Sequence, residues 1–316
     1  MNPLSSIFGS VVALRNELYE RQLFKVHKLA RPVVSIGNIS VGGSGKTPFA
    51  IALGTLLKQR GITFDVLSRG YKRNSAEIAV VDPAGAPEQF GDEPLLLTRK
   101  LQVPVIVGAD RYQAGLFAEK KFPDSRLHLL DDGFQHRRLH RDFDIVMLPA
   151  ADLEDTLLPV GRLREPLSSL ERADALVLPP ELKYSAKTVW RVRRKIAPAE
   201  ATETAQRLVA FCGIARPQQF FDAVRQAGAE LVETAVFPDH HRYTQRDIDR
   251  LLQLQEKTRA EGFATTEKDA INLGKLRPPN TRIVTLELEL ENPEEAICTL
   301  LRTLEERCGY PIQARS

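Results

Sequence analysis

The stretch VVSIGNISVGGSGKTPFAIALGTLLK, residues 33–58, joins a short apolar run to a glycine-rich segment and then to a helix-compatible run. Its centre, SVGGSGKT at 40–47, matches the phosphate-binding pattern of Gly, four residues and Gly-Lys-Ser/Thr, except that Ser40 occupies the first glycine position. A strand before such a loop and a helix after it are the context that the pattern requires. The stretch therefore predicts a P-loop, in which backbone N–H groups point inward and Lys46 supplies a positive charge.

The nucleotide site predicted from this loop uses its backbone and its side chains. We expect Lys46 to bridge the β- and γ-phosphates of a nucleoside triphosphate and Thr47 to ligate Mg²⁺. A glycine-rich turn with a chance lysine would contain the same letters, but the strand and helix on either side favour nucleotide binding. The predicted nucleotide-binding residues are Ser40, Val41, Gly42, Gly43, Ser44, Gly45, Lys46 and Thr47.

Short β-branched runs alternate with helical patterns along most of the chain. This alternation predicts an α/β fold of the P-loop NTPase type, with a mostly parallel sheet and helices on both faces. Helices are predicted after the P-loop, at 93–101, 111–121, 217–228 and 244–261, and at the C-terminal end. Strands are predicted at 33–37, 64–68, 78–82, 104–109, 127–132, 144–149, 175–179, 207–214, 230–237, 262–265 and 282–290.

The predicted domain organisation has three parts. Residues 1–31 form an N-terminal amphipathic helix, and 32–185 form the P-loop domain. The stretch 179–201 is rich in charged residues, proline and alanine, and we expect it to connect the P-loop domain to the next unit. Residues 186–316 then form a smaller α/β domain that closes over the active site, with its last helix packing back on the first domain.

The N-terminal helix is predicted from its apolar face. Such a helix can lie on an anionic membrane surface or pack against its own domain, and the pattern alone leaves both open. No apolar run approaches the roughly 18 to 20 residues that span a bilayer. The apolar residues are Leu4, Ile7, Phe8, Val11, Val12, Leu14 and Leu18, and the basic residues towards the far end are Arg15, Arg21, Lys25 and Lys28.

Composition excludes several classes of protein. The 44 Lys and Arg residues against 41 Asp and Glu give a formal net charge of only +3, so nothing indicates bulk nucleic-acid binding. Cys212, Cys298 and Cys308 lie far apart without a CxxC pair, which argues against a disulfide framework and a cysteine zinc site. We therefore expect a cytosolic globular protein without a nucleic-acid partner.

Two adjacent acids follow a predicted strand where it ends. In LHLLDD, residues 127–132, the strand runs into Asp131 and Asp132. A P-loop enzyme needs a carboxylate at a strand end to hold its metal, usually through water. Acids are also common in turns that end strands. Beside a P-loop, we interpret this pair as the metal-side acids.

Two further stretches offer groups for proton transfer. GDEP at 91–94 places Asp92 at a helix start, where a carboxylate either caps the helix or acts as a base for an acceptor hydroxyl. FPDHHRY at 237–243 supplies His240 and His241 in an irregular segment, where a histidine faces either a cleft or solvent.

Other polar stretches keep two interpretations each. Arg69 in LSRGYKR and Arg164 in GRLREP are either phosphate contacts or surface charge, and the basic set that includes His136 suits anionic groups. TTEKD at 265–269 slightly resembles the base-reading element of GTP-binding proteins, but a helix cap by Thr266 is favoured.

Taken together and in this order, the motifs resemble one family, the tetraacyldisaccharide 4'-kinases that make lipid A in Gram-negative bacteria. The resemblance implies transfer of the ATP γ-phosphate to the 4'-hydroxyl of a tetraacylated glucosamine disaccharide 1-phosphate, with Mg²⁺. It also implies a peripheral protein on the cytoplasmic face of the inner membrane, with the helix at 1–31 facing an anionic membrane and no obligate protein partner. The motifs are SIGNISVGGSGKT, LSRGYKR, GDEP, DDGFQHR, LREP, RADA, FPDHH and TTEKD.

The resemblance also implies roles for single residues. The catalytic carboxylate falls at Asp92, paired with the histidine of FPDH, His240, rather than with His241. Lys46 and Arg164 would stabilise charge during transfer. The acids that match the metal and phosphate side are Asp131 and Asp132, and the residues that match lipid-headgroup contacts are Arg69, Arg111 and His136.

Three other functions share the P-loop. A GTPase switch or metallochaperone would act through a protein partner and would leave Asp92 and His240 without a purpose. A kinase for a small soluble metabolite would leave the apolar N-terminal face unexplained. A membrane-bound structural protein with a vestigial loop would not bind nucleotide.

Overall fold

The computed structural model describes residues 3–197, 207–309 and 311–312. Within these residues the strands form one sheet. They are β1 (Val33–Asn38), β2 (Phe64–Ser68), β3 (Ala79–Val80), β4 (Val105–Val107), β5 (Leu127–Asp131), β6 (Phe143–Met147), β7 (Ala175–Leu178), β8 (Val189–Ala197), β9 (Arg207–Cys212), β10 (Glu230–Val236), β11 (Gly262–Thr266) and β12 (Thr281–Leu290). Their order across the sheet is β10-β9-β11-β12-β8-β7-β6-β1-β5-β2-β4-β3.

Helices cover both faces of this sheet. They are α1 (Pro3–Glu20), α2 (Lys46–Gln59), α3 (Pro87–Phe90), α4 (Asp92–Leu101), α5 (Arg111–Lys121), α6 (Pro217–Gln226), α7 (Gln245–Thr258), α8 (Glu267–Leu273) and α9 (Pro293–Cys308). Short 3-10 turns lie at Ala150–Asp152, Leu167–Arg172 and Gly274–Leu276. The described strand pairings are parallel except β3 with β4 and β8 with β12. The predicted mostly parallel α/β fold is confirmed.

Alternation along the buried strands explains the two helical layers. In β1, Val34 and Ile36 pack in the core beneath α2 and α4, whereas Val33 packs in the core beneath α5. Successive side chains of a strand point to opposite faces, so a strand buried on both sides is apolar throughout. Because β1 lies between β5 and β6, its carboxyl end and that of β5 open at the same edge of the sheet. The P-loop and Asp131 therefore lie side by side.

One strand lies where the sequence predicted a connection. Residues 189–197 form β8, which pairs in parallel with β7 and antiparallel with β12. The alternation of buried Trp190 and Val192 with Arg191 and Arg193 is a strand pattern. The prediction of a connection over 179–201 is wrong for these residues, because the arginines on the outer face concealed that alternation. The strand predicted at 78–82 is shorter in the structure, where β3 covers only Ala79–Val80.

The last helix packs on the first half of the chain. Ile297 and Leu300 of α9 belong to the same buried core as Phe49 of α2. Arg307 pairs with Asp174 at 2.6 Å at the other end of the helix. The chain thus returns from β12 to cover the face that α2 also covers. The domain limits at 185 and 186 stay a prediction.

The N-terminal helix α1 has two different sides. Val12 is buried, and the Ser5 hydroxyl donates a 2.8 Å hydrogen bond to the Leu157 carbonyl, so one side is docked on the protein. The side chains of Ile7 and Val11 on the other side are 62% and 61% exposed. Among the described residues, no helix has the length and apolar character needed to cross a bilayer.

Trp190 of β8 is the residue whose truncation should destabilise this fold most clearly. Its ring is 5% exposed and stacks 5.8 Å from the Phe143 ring and 6.4 Å from the Phe49 ring. We expect Trp190→Ala to lower the free energy of unfolding by about 3–5 kcal/mol, since it leaves a cavity where β8 meets α2. Urea unfolding should be followed by circular dichroism, because the variant removes the single tryptophan. As a control, Val236→Ala at an exposed position should lower the free energy of unfolding by less than about 1 kcal/mol. An equal loss of stability in the two variants would contradict the prediction.

Candidate functional site

The loop after β1 takes the shape that its glycines permit. Gly42, Gly43 and Gly45 have φ angles of +71°, +54° and +89°, in the left-handed region that other residues rarely adopt. Helix α2 then begins at Lys46, so its first backbone N–H groups face the loop. A helix N-terminus with a glycine-rich loop before it favours bound phosphate. The local geometry is the one that the P-loop pattern predicts.

A cavity of about 710 Å³ lies over this loop. Residues from both halves of the chain line it. Those from the first half include Val41, Gly42, Gly43, Ser44, Gly45, Lys46, Thr47, Ser68, Arg69, Tyr71, Glu93, Asp131, Asp132 and Arg164. Those from the second half include Arg194, Ile214, Ala215, Arg216, Phe220, Asp239, His240, Lys268 and Leu286. The structure thus brings most of the predicted site residues to one cavity.

Two cations share two anchors at the floor of the cavity. The Lys46 ammonium donates to Asn38 Oδ1 at 3.0 Å and lies 3.4 Å from Asp132 Oδ1. The Arg164 guanidinium donates to the same Asn38 oxygen at 2.7 Å and to both Asp132 oxygens at 3.1 Å. Asn38 and Asp132 therefore fix both positive charges beside the P-loop. Asn38, the last residue of β1, was not predicted as a site residue from the sequence.

The two predicted metal-side acids differ in their surroundings. Burial alone would raise the pKa of Asp132, but Lys46 and Arg164 outweigh it and hold that pKa well below its usual range. Burial, with Glu93 and Asp132 nearby, raises the pKa of Asp131. Asp131 Oδ2 accepts from Ser68 at 3.0 Å, whereas its buried Oδ1 has no hydrogen-bond partner among the described residues.

This unpartnered oxygen fits a metal ion. Mg²⁺ in nucleotide sites takes one or two protein oxygens and completes its shell with phosphate and water. Asp131 and Thr47 line the same cavity and supply a carboxylate and a hydroxyl of this kind. Within the described residues no group of three His, Cys, Asp or Glu side chains forms a metal site by itself. The donor set therefore suits a cation that arrives with a phosphate.

Asp92 and His240 form a hydrogen-bonded pair, of which His240 lines the cavity and Asp92 does not. Asp92 is the first residue of α4 and is 4% exposed, and His240 Nδ1 lies 2.9 Å from each of its carboxylate oxygens. Burial would raise the pKa of Asp92, but the His240 hydrogen bond and the Lys268 charge lower it to about 2. His240 has a φ of +57°, a strained value for a histidine. The carboxylate is thus ionised at neutral pH and held against the ring.

Helix α8 supplies two partners of this pair that the sequence did not reveal. The Lys268 ammonium lies 3.1 Å from His240 Nε2 and 3.2 Å from Asp239 Oδ1, and Asn272 Nδ2 donates to Asp92 at 2.9 Å. Because an ammonium only donates, this contact leaves His240 Nε2 as acceptor and Nδ1–H as the donor to Asp92. The helix cap predicted for TTEKD is confirmed, since the Thr266 hydroxyl accepts from the Asp269 N–H at 3.1 Å.

His241 points away from the pair. Its Nε2 lies 3.1 Å from Asp247 Oδ2 at the start of α7, and its ring stacks on Phe237 at 4.9 Å. These contacts belong to the core of the second half. The structure therefore places His240 in the cavity and His241 outside it.

The predicted headgroup contacts are divided between two places. Arg69 lines the large cavity, whereas His136 lines a smaller one of about 260 Å³ together with His27 and Arg138. Arg111 is 7% exposed and donates to the Ala109 carbonyl at 2.7 Å. Burial, followed by the Arg111 charge, lowers the pKa of His136 to about 4.

Ser40 is the one member of the predicted P-loop set outside the cavity lining. Its side chain is fully buried, and its hydroxyl donates to Asp152 Oδ2 at 2.7 Å. Its carbonyl accepts from Arg164 Nε at 2.9 Å. The Ser40 hydroxyl is thus engaged by the buried Asp152, and Ser40 is absent from the lining of the cavity that the other seven residues line.

Comparisons with known proteins identify the family that this chain is similar to. The profile of the family Tetraacyldisaccharide-1-P 4'-kinase matches residues 1–305. The tetraacyldisaccharide 4'-kinase of Koribacter versatilis is 51% identical over 323 residues, which cover 98% of this chain and 100% of that protein. The enzyme of that name from Aquifex aeolicus is 38% identical over 294 residues, with 86% and 88% covered. A crystal structure of LpxK from Aquifex aeolicus in complex with ATP superimposes with a TM-score of 0.78 at 35% identity, over 96% of this chain and 98% of that one.

Proposed function

The chain belongs to the tetraacyldisaccharide-1-P 4'-kinase family, and from this membership we propose that it transfers the ATP γ-phosphate to the 4'-hydroxyl of a tetraacylated glucosamine disaccharide 1-phosphate. The observation that carries the proposal is that the P-loop and His240 line one cavity, and that His240 Nδ1 lies 2.9 Å from the buried Asp92 carboxylate. The P-loop suits the donor, and the pair suits an acceptor hydroxyl. A nucleotide switch would not need the Asp92–His240 pair, because it transfers no phosphate to an acceptor hydroxyl.

Charge neutralisation is the task of Lys46 and Arg164. Phosphoryl transfer depends on positioning and on stabilising charge that spreads over the γ-phosphate oxygens. Both cations are held by Asn38 and Asp132 before substrate arrives, so little reorganisation is needed during the reaction. Lys46 and Arg164 then hold the γ-phosphate in line with the acceptor.

Proton acceptance is the task of Asp92, with His240 orienting it. A carboxylate with a pKa of about 2 is a weak base. It suffices here because the transition state of phosphoryl transfer is loose, so the hydroxyl loses its proton as the new bond to phosphorus forms. The Nδ1–H of His240 stays on Asp92 and keeps the carboxylate aimed at the hydroxyl.

A magnesium ion completes the proposed site. Thr47 and Asp131 would hold it, with Asp132 beside them, and the unpartnered Asp131 Oδ1 supports this assignment. Asp132 already pairs with Lys46 and Arg164, so we place it in the outer shell of the ion. When bound, Mg²⁺ would neutralise charge on the β- and γ-phosphates.

The lipid is proposed to approach from the side of α1. Arg69, Arg111 and His136 would contact its headgroup, and the exposed Ile7 and Val11 would enter the cytoplasmic face of the inner membrane. An apolar helix face is what an interfacial position requires. Cosedimentation with anionic vesicles tests this peripheral placement, and protein that stays in the supernatant would contradict it.

Labelled phosphate provides the test of the function. The protein is incubated with Mg²⁺ and γ-labelled ATP, with detergent-dispersed tetraacyldisaccharide 1-phosphate present or absent, and Lys46→Ala serves as the control. Label in the lipid that disappears in the control is the expected result. Nucleotide hydrolysis that does not depend on the lipid, with a preference for GTP, would instead indicate a switch or metallochaperone.

The Lys268 ammonium is expected to tune the pair. After the His240 hydrogen bond, the Lys268 charge is the next cause that lowers the pKa of Asp92. Lys268 also faces two other carboxylates, Glu93 at 3.7 Å and Asp239. Lys268→Met should therefore raise the pKa of Asp92, move the acid limb of kcat/KM to higher pH and lower kcat by about tenfold or more. The control is Lys100→Met, since Lys100 lies outside the cavity lining and pairs with Glu267 rather than with Asp92. Superimposable pH profiles for Lys268→Met and Lys100→Met would refute the tuning.

A further inference from the structure

Ser40 stands where the P-loop pattern has glycine, and its side chain does not face the cavity. The fully buried hydroxyl donates to Asp152 Oδ2 at 2.7 Å, and Asn38 Nδ2 lies 3.2 Å from the same hydroxyl. Asp152 ends the 3-10 turn Ala150–Asp152, which follows β6. The serine thus fixes the first residue of the loop to the next strand connection.

The second oxygen of Asp152 reaches the other half of the chain. Its Oδ1 accepts from Arg216 Nη2 at 3.1 Å, and Asp152 is 1% exposed while the Arg216 side chain is 13% exposed. Arg216 lies between β9 and α6, immediately before the first residue of that helix. A buried carboxylate is tolerated when donors satisfy it on both sides. Asp152 is therefore a bridge between the P-loop and the second half.

The segment that carries Arg216 sits directly on the glycine turn. A Cβ placed on Gly42 would lie 2.8 Å from the Ala215 Cβ, and one on Gly43 would lie 2.9 Å from the Arg216 Cγ. Contacts this close leave no room for a side chain on either glycine. Ala215 and Arg216 also line the large cavity. The two residues thus form one wall of the nucleotide site against the loop that forms its floor.

We propose that Asp152 is a positioning residue that docks the Ala215–Arg216 segment on the P-loop, and that Ser40 occupies the glycine position because its hydroxyl anchors Asp152. Neither residue touches the nucleotide. Asp152 acts through Arg216, whose guanidinium it holds at the cavity wall. The link stabilises the arrangement in which both halves of the chain enclose the triphosphate.

Equilibrium binding of a non-hydrolysable ATP analogue, without lipid, tests this inference. Asp152→Asn keeps the size of the side chain but removes its charge, and we expect it to weaken analogue binding by about tenfold, the size of effect typical of one charge-assisted hydrogen bond. Arg216→Gln should weaken binding at least as much. The double variant should bind within about twofold of Arg216→Gln alone, because the bridge is already broken. The exposed Glu154→Gln, two residues away, should bind as wild type does.

Two further measurements separate positioning from a loss of folding. The KM for ATP should rise in Asp152→Asn while the KM for the lipid acceptor stays unchanged. Ser40→Gly, which restores the glycine of the pattern, should weaken analogue binding several-fold and thus decide the matter if Asp152→Asn does not fold. Wild-type affinity in folded Asp152→Asn or Ser40→Gly, or additive effects in the double variant, would overturn the proposal. Because the binding assay contains no acceptor, its result does not depend on the roles proposed for Asp92 and His240.

Discussion

Replacing Asp92 with asparagine is expected to lower kcat by about 10²–10⁴-fold, the range contributed by a positioned general base. The amide can keep the 2.9 Å contacts with His240 and Asn272 in rearranged form, but it cannot accept the proton of the acceptor hydroxyl. Asp92 does not contact the Lys46 network, so the KM for ATP should change little. Steady-state rates with varied lipid acceptor at saturating ATP give kcat, and rates with varied ATP at saturating acceptor give the KM for ATP.

The two adjacent histidines provide a matched control for this result. His240→Ala should also lower kcat strongly, because it removes the group that orients the Asp92 carboxylate. His241→Ala should leave kcat within about threefold of wild type, since its partners are Asp247 and Phe237 rather than the pair. Near-normal turnover in Asp92→Asn, or equal losses in the two histidine variants, would show that the pair is not the proton acceptor.

Lys46→Ala is expected to lower kcat/KM by about 10³-fold, the loss seen when one fixed electrostatic contact to the transition state is removed. The Lys46 side chain is only 13% exposed, and Asn38 and Asp132 hold its ammonium beside the P-loop. Lys46→Arg should not restore activity, because a planar guanidinium does not fit a site for a compact charge. Initial rates over a range of ATP concentrations measure the effect.

Lys58, at the opposite end of the same helix, is the control for Lys46. Its ammonium donates to the Leu101 carbonyl at 2.7 Å, far from the loop. Lys58→Ala should cost some stability and leave kcat/KM near that of wild type. If Lys46→Ala retained more than about a tenth of wild-type kcat/KM, the cation would not act on the transferred phosphoryl group.

The parts of the molecule that were predictable from the sequence are those encoded locally. The P-loop, the acids at the end of β5 and the alternation of strands with helices each occupy a short continuous stretch. The charged residues of β8 concealed its period-two pattern, so that strand was missed. Counting the buried positions Trp190 and Val192 separately from the outer arginines would have revealed it.

The parts that were not predictable depend on long-range contacts. Asn272 reaches Asp92 across 180 positions of sequence, and Ser40 reaches Asp152 across 112. Such pairs are fixed by topology, which a single sequence does not display. Lys268 lies in a stretch that a helix cap already explained, and only its position beside His240 indicates a further role. The pairing of Asp92 with His240 came from resemblance to a family rather than from the residues themselves.

The antiparallel ladder between β8 and β12 determines how the cleft can open. It runs from Leu290 opposite Val192 to Thr285 opposite Ala197, and β8 also pairs with β7, so continuous backbone hydrogen bonds cross between the two halves. Flexible linkers alone would let the two halves rotate freely about a hinge. A hydrogen-bonded β-ladder permits only limited bending and twisting of the sheet. We therefore expect opening to be a small elastic deformation that returns the halves to one register, so that His240 is delivered to the same carboxylate in every catalytic cycle.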